Sequence, residues 1–196
     1  SIIDNYTTKY RPTVRTYEQS IAASNRKFIR GLQLMMPDKK FSPDANSTMR
    51  LSYGSVKTYD PADAVKYNWF TTINGIMEKM DNSNPDFVVP AKQAELYNKK
   101  DFGRWGVNGR QPVCFIAANH TTGGNSGSPA LDANGNLIGL NFDRVWEGTM
   151  SDINYDPSIC RNIMVDIRYV LFIVDKFAEA KNLIAEMKFV SKKGKK

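Results

Sequence analysis

The stretch Thr121-Thr122-Gly123-Gly124-Asn125-Ser126-Gly127-Ser128-Pro129 sets a small hydroxyl side chain, Ser126, between glycines. Glycine reaches backbone angles that other residues avoid, so Gly124 and Gly127 permit a tight turn in which amide N–H groups converge on one point. Such a point can stabilise an oxyanion next to a serine nucleophile. Glycine- and serine-rich turns are also common polar connections between strands. The residues on both sides of the loop therefore decide whether it is interpreted as a nucleophile loop or as a connection.

The loop lies between stretches that predict β-strands. Residues 112–118, Pro-Val-Cys-Phe-Ile-Ala-Ala, indicate a buried strand before it. After it, short apolar runs at 128–131 and 137–142 flank Asn134-Gly135, which is the strongest short-range signal for a β-hairpin. This order resembles the second β-barrel of chymotrypsin-like serine proteases, whose nucleophile loop reads Gly-Asp-Ser-Gly-Gly-Pro. The returning strand of the hairpin would then line the pocket for the residue before the scissile bond.

Longer motifs carry a more specific resemblance. In chain order they are Tyr53 to Lys57, Thr71 to Lys79, Asn119 to Pro129, Gly139 to Arg144 and Asp166 to Phe172. Together they resemble the carboxy-terminal part of the bacterial S46 dipeptidyl-peptidases, from about Arg50 to Met187. The resemblance implies an α+β fold, namely the second β-barrel of a trypsin-like double barrel, with a helical segment before it and a closing helix after it. It also implies an enzyme that removes dipeptides from the free amino terminus of peptides.

The resemblance assigns roles to individual residues. Ser126 would be the nucleophile, and the N–H groups of Gly124 and Ser126 would hold the oxyanion. Asp143 would hold the free α-ammonium group of the substrate. Arg144 would select Asp or Glu just before the cleaved bond, where a glycine in other family members accepts apolar side chains.

The chemistry of Arg144 fits this role, because a guanidinium meets a carboxylate through two parallel hydrogen bonds. An apolar side chain in the same pocket would leave the guanidinium desolvated and unpaired, which increases the discrimination. The alternative is a surface arginine that pairs with Asp143, Glu147 or Asp152. An apolar or broad substrate preference within the same family is therefore kept as an alternative function.

Ser126 also needs a base, because a serine hydroxyl is a weak nucleophile at neutral pH. The single histidine, His120, lies six residues before Ser126 on the approach to the same loop. In chymotrypsin-like proteases the histidine and the aspartate come from earlier, separate segments, so we expect His120 to make structural hydrogen bonds. The resemblance implies that the catalytic His and Asp lie in an amino-terminal barrel outside this chain, and that the chain alone is inactive.

The net charge of +7 supports a second hypothesis, a non-catalytic basic module that binds nucleic acid or an acidic surface. The positive residues are scattered, and the densest cluster, Lys192-Lys193-Gly194-Lys195-Lys196, has no aromatic residues between its lysines. A solvated tail explains this cluster better than a nucleic-acid site does. We therefore expect no nucleic-acid partner.

Composition restricts the remaining classes. A chain of 196 residues with 41% hydrophobic content forms one or two domains. One histidine and two distant cysteines give no zinc spacing, and the acidic residues do not match a calcium loop, so we expect no metal and no cofactor. The longest apolar stretch, Tyr169 to Val174, is too short to span a bilayer. The sequence leaves open whether Cys114 and Cys160 pair, and we favour free thiols.

The resemblance also implies the surroundings of the protein. Its substrates would be peptides with a free amino terminus and an acidic second residue, and its partner would be the amino-terminal part of the same protein. The full-length protein would be a homodimer, exported to the periplasm or the cell surface. Half a double barrel exposes apolar surface, so we expect the isolated chain to self-associate or to rearrange its amino-terminal segment.

The predicted domains are the end of a helical domain with a connector (1–46), a trypsin-like barrel with its closing helix (47–190) and a basic tail (191–196). Apolar spacing predicts helices at 17–36, 91–100 and 168–187, and strands at 50–59 and 163–165. Residues 60–63 predict a helix or a turn. Residues 71–80 fit either a helical turn or part of a strand pair.

Overall fold

The computed structural model describes residues 1–39, 41 and 46–190. The chain divides into two compact units, Ser1–Arg50 and Leu51–Lys196. The predicted basic tail at 191–196 lies outside the described residues, as does part of the predicted connector.

The first unit is helical for most of its length. Helix α1 (Ile2–Asn5), a π-helical turn (Tyr6–Tyr10) and helix α2 (Arg11–Met35) follow one another directly. A reciprocal pair of hydrogen bonds between Ser1 and Asp4 caps the amino terminus of α1. Helix α2 ends before Pro37, which has no N–H group to continue the helical ladder. The helix predicted at 17–36 is confirmed, and the helical backbone begins earlier than predicted.

The second unit is built on antiparallel strands. Five of them form one sheet in the order β3-β4-β7-β6-β5, and two form a separate hairpin. The strands are β1 (Tyr59–Ala62), β2 (Val65–Tyr67), β3 (Phe70–Thr72), β4 (Pro112–Ala117), β5 (Pro129–Leu131), β6 (Leu137–Arg144) and β7 (Asn162–Asp166). The predicted strands at 112–118 and 163–165 are confirmed as β4 and β7. Strand β7 is central and pairs with β4 on one side and β6 on the other.

The hairpin predicted around Asn134-Gly135 is confirmed as β5 and β6. Its turn is organised by Asp132, whose Oδ1 accepts the N–H groups of Asn134 at 2.8 Å and Asn136 at 2.9 Å. Gly135 has a φ of 78°, a value that glycine adopts without strain. This turn brings β6 back along β5 and towards the serine loop.

The strand predicted at 50–59 is wrong for most of its length. Leu51 and Tyr53 are 82% and 87% exposed, so the alternating pattern does not bury one face. At Gly54 the segment runs against β4 so closely that a Cβ atom would lie 2.5 Å from the carbonyl carbon of Ala118. Contact with the sheet is limited to the bridge between Val56 and Ala117 and a few flanking hydrogen bonds. The helix or turn predicted at 60–63 is wrong for residues 60–62, which belong to β1, whereas Asp63 lies in the turn between β1 and β2.

The helices of this unit are α3 (Ile73–Glu78), α4 (Ala91–Asn98), α5 (Ile167–Phe172) and α6 (Lys181–Glu186). Helix α4 confirms the helix predicted at 91–100. The stretch 71–80, predicted as either a helical turn or part of a strand pair, contains both: β3 ends in it and α3 follows. Short 3-10 helices lie at Pro85–Phe87, Gly103–Trp105 and Trp146–Asp152.

The closing helix predicted at 168–187 is interrupted. Helix α5 continues as a π-helical turn (Ile173–Phe177). The helical backbone is then interrupted at Glu179, where φ is 57°, before α6 begins. Asp175 in this turn accepts the indole N–H of Trp105 at 2.8 Å and pairs with Lys181. These side-chain contacts hold the turn against the core, so apolar spacing alone did not reveal the break.

Two clusters of buried side chains support the second unit. One joins the helices and consists of Ile73, Phe102, Trp105, Leu171 and Phe172. The other lies on the sheet and consists of Phe115, Ala117, Ala130 and Met164. The described part of the chain is therefore an α+β structure whose antiparallel sheet is open and does not close into a barrel.

Both cysteines are free thiols. Cys160 is buried, and burial raises the pKa of the half-buried Cys114 thiol. Of the helices in the described ranges, none combines the length and apolarity needed to cross a bilayer.

We predict that Phe172→Ala lowers the free energy of unfolding by about 3–5 kcal/mol, because Phe172 is fully buried and the smaller side chain leaves a cavity. Urea unfolding of the protein that carries this sequence measures the change. Phe87→Ala is the matched control, since Phe87 is exposed and its removal changes stability little. Equal losses for the two variants would contradict the assignment of the core.

Candidate active site

The loop between β4 and β5 folds into a tight turn around Ser126. Gly124 and Gly127, on either side of it, have φ values of 97° and 82°. The side chain of Asn125 accepts the N–H of Thr122 at 2.8 Å, and the carbonyl of Asn125 accepts the N–H of Ser128 at 3.0 Å. Positive φ at both glycines is strained for other residues, so this turn depends on them.

The hydroxyl of Ser126 is exposed at the tip of the turn. Its Oγ lies 3.5 Å from the carbonyl oxygen of Phe142, which is a long contact for an O–H donor. The hydroxyl is therefore held weakly and is accessible to a reacting group from outside.

A buried asparagine on β6 fixes the turn. The backbone of Asn141 accepts the N–H of Gly127 at 2.7 Å and donates to the carbonyl of Ser128 at 2.9 Å. Its side-chain amide donates to the carbonyl of Asn125 at 3.2 Å and accepts from Asn162 of β7 at 2.8 Å. The serine turn is thus tied to two strands of the sheet.

The sequence analysis missed Asn141 and Asn162. Asn141 is a polar residue within a short apolar run, and Asn162 directly precedes one. In the alternating pattern of a strand, a polar residue at such a position is read as facing solvent. Two buried amides in strands that pair with each other are the signal that identifies such a contact, but the pairing of β6 with β7 is needed to read it.

Strand β6 contains a β-bulge beside the serine turn. Asn141 pairs with Met164 and Asp143 pairs with Ile163, so Phe142 is one residue more than β7 can match. Bulges occur preferentially next to active sites, where they change the direction of a side chain. The bulged residue is the one whose carbonyl faces the Ser126 hydroxyl.

Asp143 and Arg144 follow the bulge, and their charged groups have different partners. The carboxylate of Asp143 is exposed and accepts the backbone N–H of Arg144 at 2.8 Å. The guanidinium of Arg144 donates from Nη1 to Ser151 Oγ at 2.6 Å and from Nη2 to Asp152 Oδ2 at 3.1 Å. Of the three acidic partners considered from sequence, Asp152 is the one that forms the ion pair, while Glu147 accepts the hydroxyl of Tyr59.

Arg144 lines a narrow pocket of about 10 Å³, which is space for about one water molecule, next to the start of the serine loop. Its other walls include His120, Ser151, Tyr155, Arg161 and Asn162. The pocket lies between the start of the serine loop, the 3-10 helix after β6 and the start of β7. A larger cavity of about 450 Å³ lies at the outer edge of β3, but its lining contains no serine, cysteine or carboxylate.

His120 makes structural contacts in this pocket wall. Its Nε2 lies 3.1 Å from the carbonyl oxygen of Ser151, and its ring lies 4.7 Å from the ring of Tyr155. A carbonyl oxygen only accepts hydrogen bonds, so Nε2 carries the proton. In the parts of the chain that the structure describes, no hydrogen bond joins His120 to Ser126.

The described ranges contain no group of three or more His, Cys, Asp or Glu side chains that could hold a metal ion. The guanidinium of Arg161 in the pocket wall donates to the carbonyl oxygens of Thr58, Pro157, Ser158 and Cys160, so these donors are not available to a ligand. The guanidinium of Arg144 is the group of this pocket that suits an anionic ligand.

The fold and the sequence have counterparts in known proteins. Residues 1–189 match the family Peptidase S46. The Asp/Glu-specific dipeptidyl-peptidase of Flavobacterium psychrophilum is 58% identical over 195 residues, which is 100% of this chain and 27% of that protein. Dipeptidyl-peptidase 7 of Phocaeicola vulgatus is 53% identical over 167 residues, which is 85% of this chain and 23% of that protein.

A solved structure also matches. The crystal structure of Porphyromonas endodontalis DPP11 in complex with substrate has a TM-score of 0.82 and 46% identity, and the match covers 90% of this chain and 26% of that one. The chain belongs to the peptidase S46 family. It spans about a quarter of the length of the curated relatives it matches.

We predict that Asn141→Ala loosens the serine turn, because the carbonyl of Asn125 and the amide of Asn162 lose their partner. Hydrogen–deuterium exchange of the segment 122–128 should become at least about tenfold faster, as the loss of about 1.4 kcal/mol of local stability requires. Asn134→Ala, at the exposed tip of the β5–β6 turn, is the control. Unchanged exchange in the Asn141 variant would show that the backbone bonds alone hold the turn.

Proposed function

We propose that this chain is the carboxy-terminal, nucleophile-bearing part of a longer serine dipeptidyl-peptidase that releases dipeptides ending in Asp or Glu. Family membership supports the class of enzyme, and the names of several relatives support the acidic preference. The observation that carries the proposal is the position of Arg144, a partly buried guanidinium in a pocket beside the serine turn.

In the proposed reaction, Ser126 Oγ attacks the carbonyl carbon of the second peptide bond while its proton passes to a histidine base. The N–H groups of Gly124 and Ser126 stabilise the oxyanion, and one such donor contributes about a hundredfold to a thousandfold in rate. The amine of the remaining peptide leaves with the proton, and water then hydrolyses the acyl-enzyme. Because Nε2 of His120 faces the carbonyl of Ser151, the base is proposed to come from another part of the enzyme.

We also propose that this chain contributes the second barrel of a trypsin-like double barrel, which its own open sheet does not close. The catalytic His and Asp would lie in the first barrel, so the chain alone would be inactive. We propose that residues 1–46 are the end of a helical domain with its connector, that 47–190 belong to the barrel and that 191–196 are a basic tail. As further proposals, the full-length enzyme is an exported homodimer of the periplasm or cell surface, and the isolated chain self-associates.

Asp143 is proposed to anchor the substrate's free α-ammonium group, which makes the enzyme an exopeptidase. Its carboxylate is exposed on the strand that carries Arg144, and the N–H of Arg144 holds one of its oxygens in place. A carboxylate accepts up to about four hydrogen bonds, so capacity remains for an ammonium group.

Two alternatives are kept. The first is an apolar or broad preference within the same family, but an apolar side chain would not use the hydrogen-bond donors of Arg144. A basic binding module rests on the net charge of +7 and on the tail at 191–196. Removal of this tail would abolish polyanion binding in the second case and leave peptidase activity unchanged.

We predict that the full-length protein cleaves free-amino dipeptidyl-Asp fluorogenic substrates in preference to dipeptidyl-Leu substrates. Ser126→Ala should lower kcat/KM at least about a thousandfold, because the nucleophile is lost. Arg144→Gly should lower kcat/KM for the Asp substrate by about tenfold to a hundredfold and shift the preference towards Leu, since charge-assisted hydrogen bonds are lost.

Ser83→Ala is the matched control for the serine change, because Ser83 is exposed and bonds to Asp81 in a remote turn. Absence of cleavage by the folded full-length protein would reject the peptidase. Preference for Leu in the unaltered protein would reject the acidic specificity alone.

We predict that Asp143→Asn raises KM for free-amino substrates about tenfold, because a neutral amide loses the charge attraction to the α-ammonium group. Steady-state kinetics with free and N-acetylated forms of the same substrate measure this effect. The acetylated form has no ammonium group, so its slow cleavage should be the same in both proteins. An equal loss on both forms would assign Asp143 a structural role.

A further inference from the structure

The two partners of Arg144 differ in how firmly they are held. Ser151 is 5% exposed, whereas the side chain of Asp152 is 52% exposed. Both lie at the end of the 3-10 helix Trp146–Asp152, and the Arg144 side chain that they contact is 20% exposed. One guanidinium therefore has a buried neutral partner and a solvent-facing charged partner.

We propose that Ser151 is a positioning residue that holds Arg144 in the pocket. In the same proposal, Asp152 is paired with the guanidinium only until an acidic substrate side chain replaces it. The proposal rests on the proposed function, because it concerns how the same pocket selects Asp or Glu. It assigns a role in specificity to the segment that follows β6.

The surroundings of Ser151 support a permanent contact. Its carbonyl oxygen is bonded to Nε2 of His120 at 3.1 Å, and the same 3-10 helix is fixed by the hydrogen bond from Tyr59 to Glu147 at 2.7 Å. Tyr59 is buried, so the helix is attached both to the serine loop and to β1. A hydroxyl that is fixed in this way sets the depth of the guanidinium in the pocket.

The surroundings of Asp152 support a contact that can be exchanged. Half of its side chain faces solvent, where water screens the attraction between the two charges and competes for the carboxylate oxygens. A substrate carboxylate that replaces Asp152 would exclude water from the guanidinium and pair with it in a less polar environment. Arg144 has five N–H donors, so the contact with Ser151 can remain while the partner of Nη2 changes.

An internal carboxylate also changes the selectivity. With Asp152 in place, the guanidinium of the empty pocket is already paired, so a neutral substrate side chain does not leave it without a partner. An acidic side chain, in contrast, must compete with Asp152. Asp152 thus weakens both the binding of acidic substrates and the rejection of neutral ones.

The two residues therefore have opposite predicted effects. Ser151→Ala should raise KM for the dipeptidyl-Asp substrate about tenfold, because the guanidinium loses its fixed position. Asp152→Asn keeps an oxygen acceptor but removes the competing charge, so it should lower the same KM about threefold to tenfold and increase the ratio of Asp to Leu cleavage.

The experiment measures kcat and KM of the full-length protein and these variants on both substrates. Thr149→Ala is the control, because Thr149 is an exposed residue of the same 3-10 helix. Each change is repeated in the Arg144→Gly background, where neither should alter KM if it acts through the guanidinium. An effect of Ser151→Ala that persists without Arg144 would reflect damage to the fold and would overturn the positioning role.

A binding measurement separates this proposal from the proposed function. Calorimetry of the dipeptide Leu-Asp with the Ser126→Ala protein should show weaker binding for Ser151→Ala and tighter binding for Asp152→Asn, without any need for turnover. Weaker binding with Asp152→Asn would make Asp152 a second positioning residue and overturn the exchange. If Leu-Asp does not bind, or if cleavage does not depend on Ser126 or Arg144, the proposed function fails first.

Discussion

The buried side-chain amide of Asn141 is the contact on which the geometry of the candidate site depends. It accepts from Asn162 on the central strand and donates to the carbonyl of Asn125, while its backbone bonds Gly127 and Ser128. A neutral amide suits this position, because it both donates and accepts within the protein and brings no charge that would need a counterion. The serine turn is therefore positioned by the sheet and not by the flexibility of its own glycines.

The features of the fold that depend on neighbours in sequence could be predicted. The Asn134-Gly135 hairpin and the strands on either side of the serine loop follow from turn chemistry and apolar runs. The segment at 50–59 misled the prediction, because its alternating residues resemble a half-buried strand although Leu51 and Tyr53 face solvent. The break at Glu179 could not be predicted either, since it depends on contacts of Asp175 with Trp105 and Lys181 that are distant in sequence.

The residues of the candidate site also fall into those that local sequence predicts and those that only the structure identifies. Gly124 and Ser126 stand out from local sequence, because the positive φ values around the serine require glycine. The choice between possible partners of Arg144 required the structure. Glu147 accepts a hydrogen bond from the Tyr59 hydroxyl, and Asp143 accepts one from the backbone N–H of Arg144. Sequence spacing shows which charged groups are near each other along the chain, but it does not show which of them is already satisfied elsewhere.

The bulge at Phe142 has a consequence for how this surface could have evolved. Side chains along a strand alternate between two faces, and the bulge absorbs one extra residue while Asp143 and Arg144 keep their pairing with Ile163 and Asn162. Deletion of the extra residue would therefore leave both charged groups on their present faces and would straighten the strand next to Ser126. The sides of the sheet that carry the two charges and the bend that presents them to the serine turn are thus separately inherited properties.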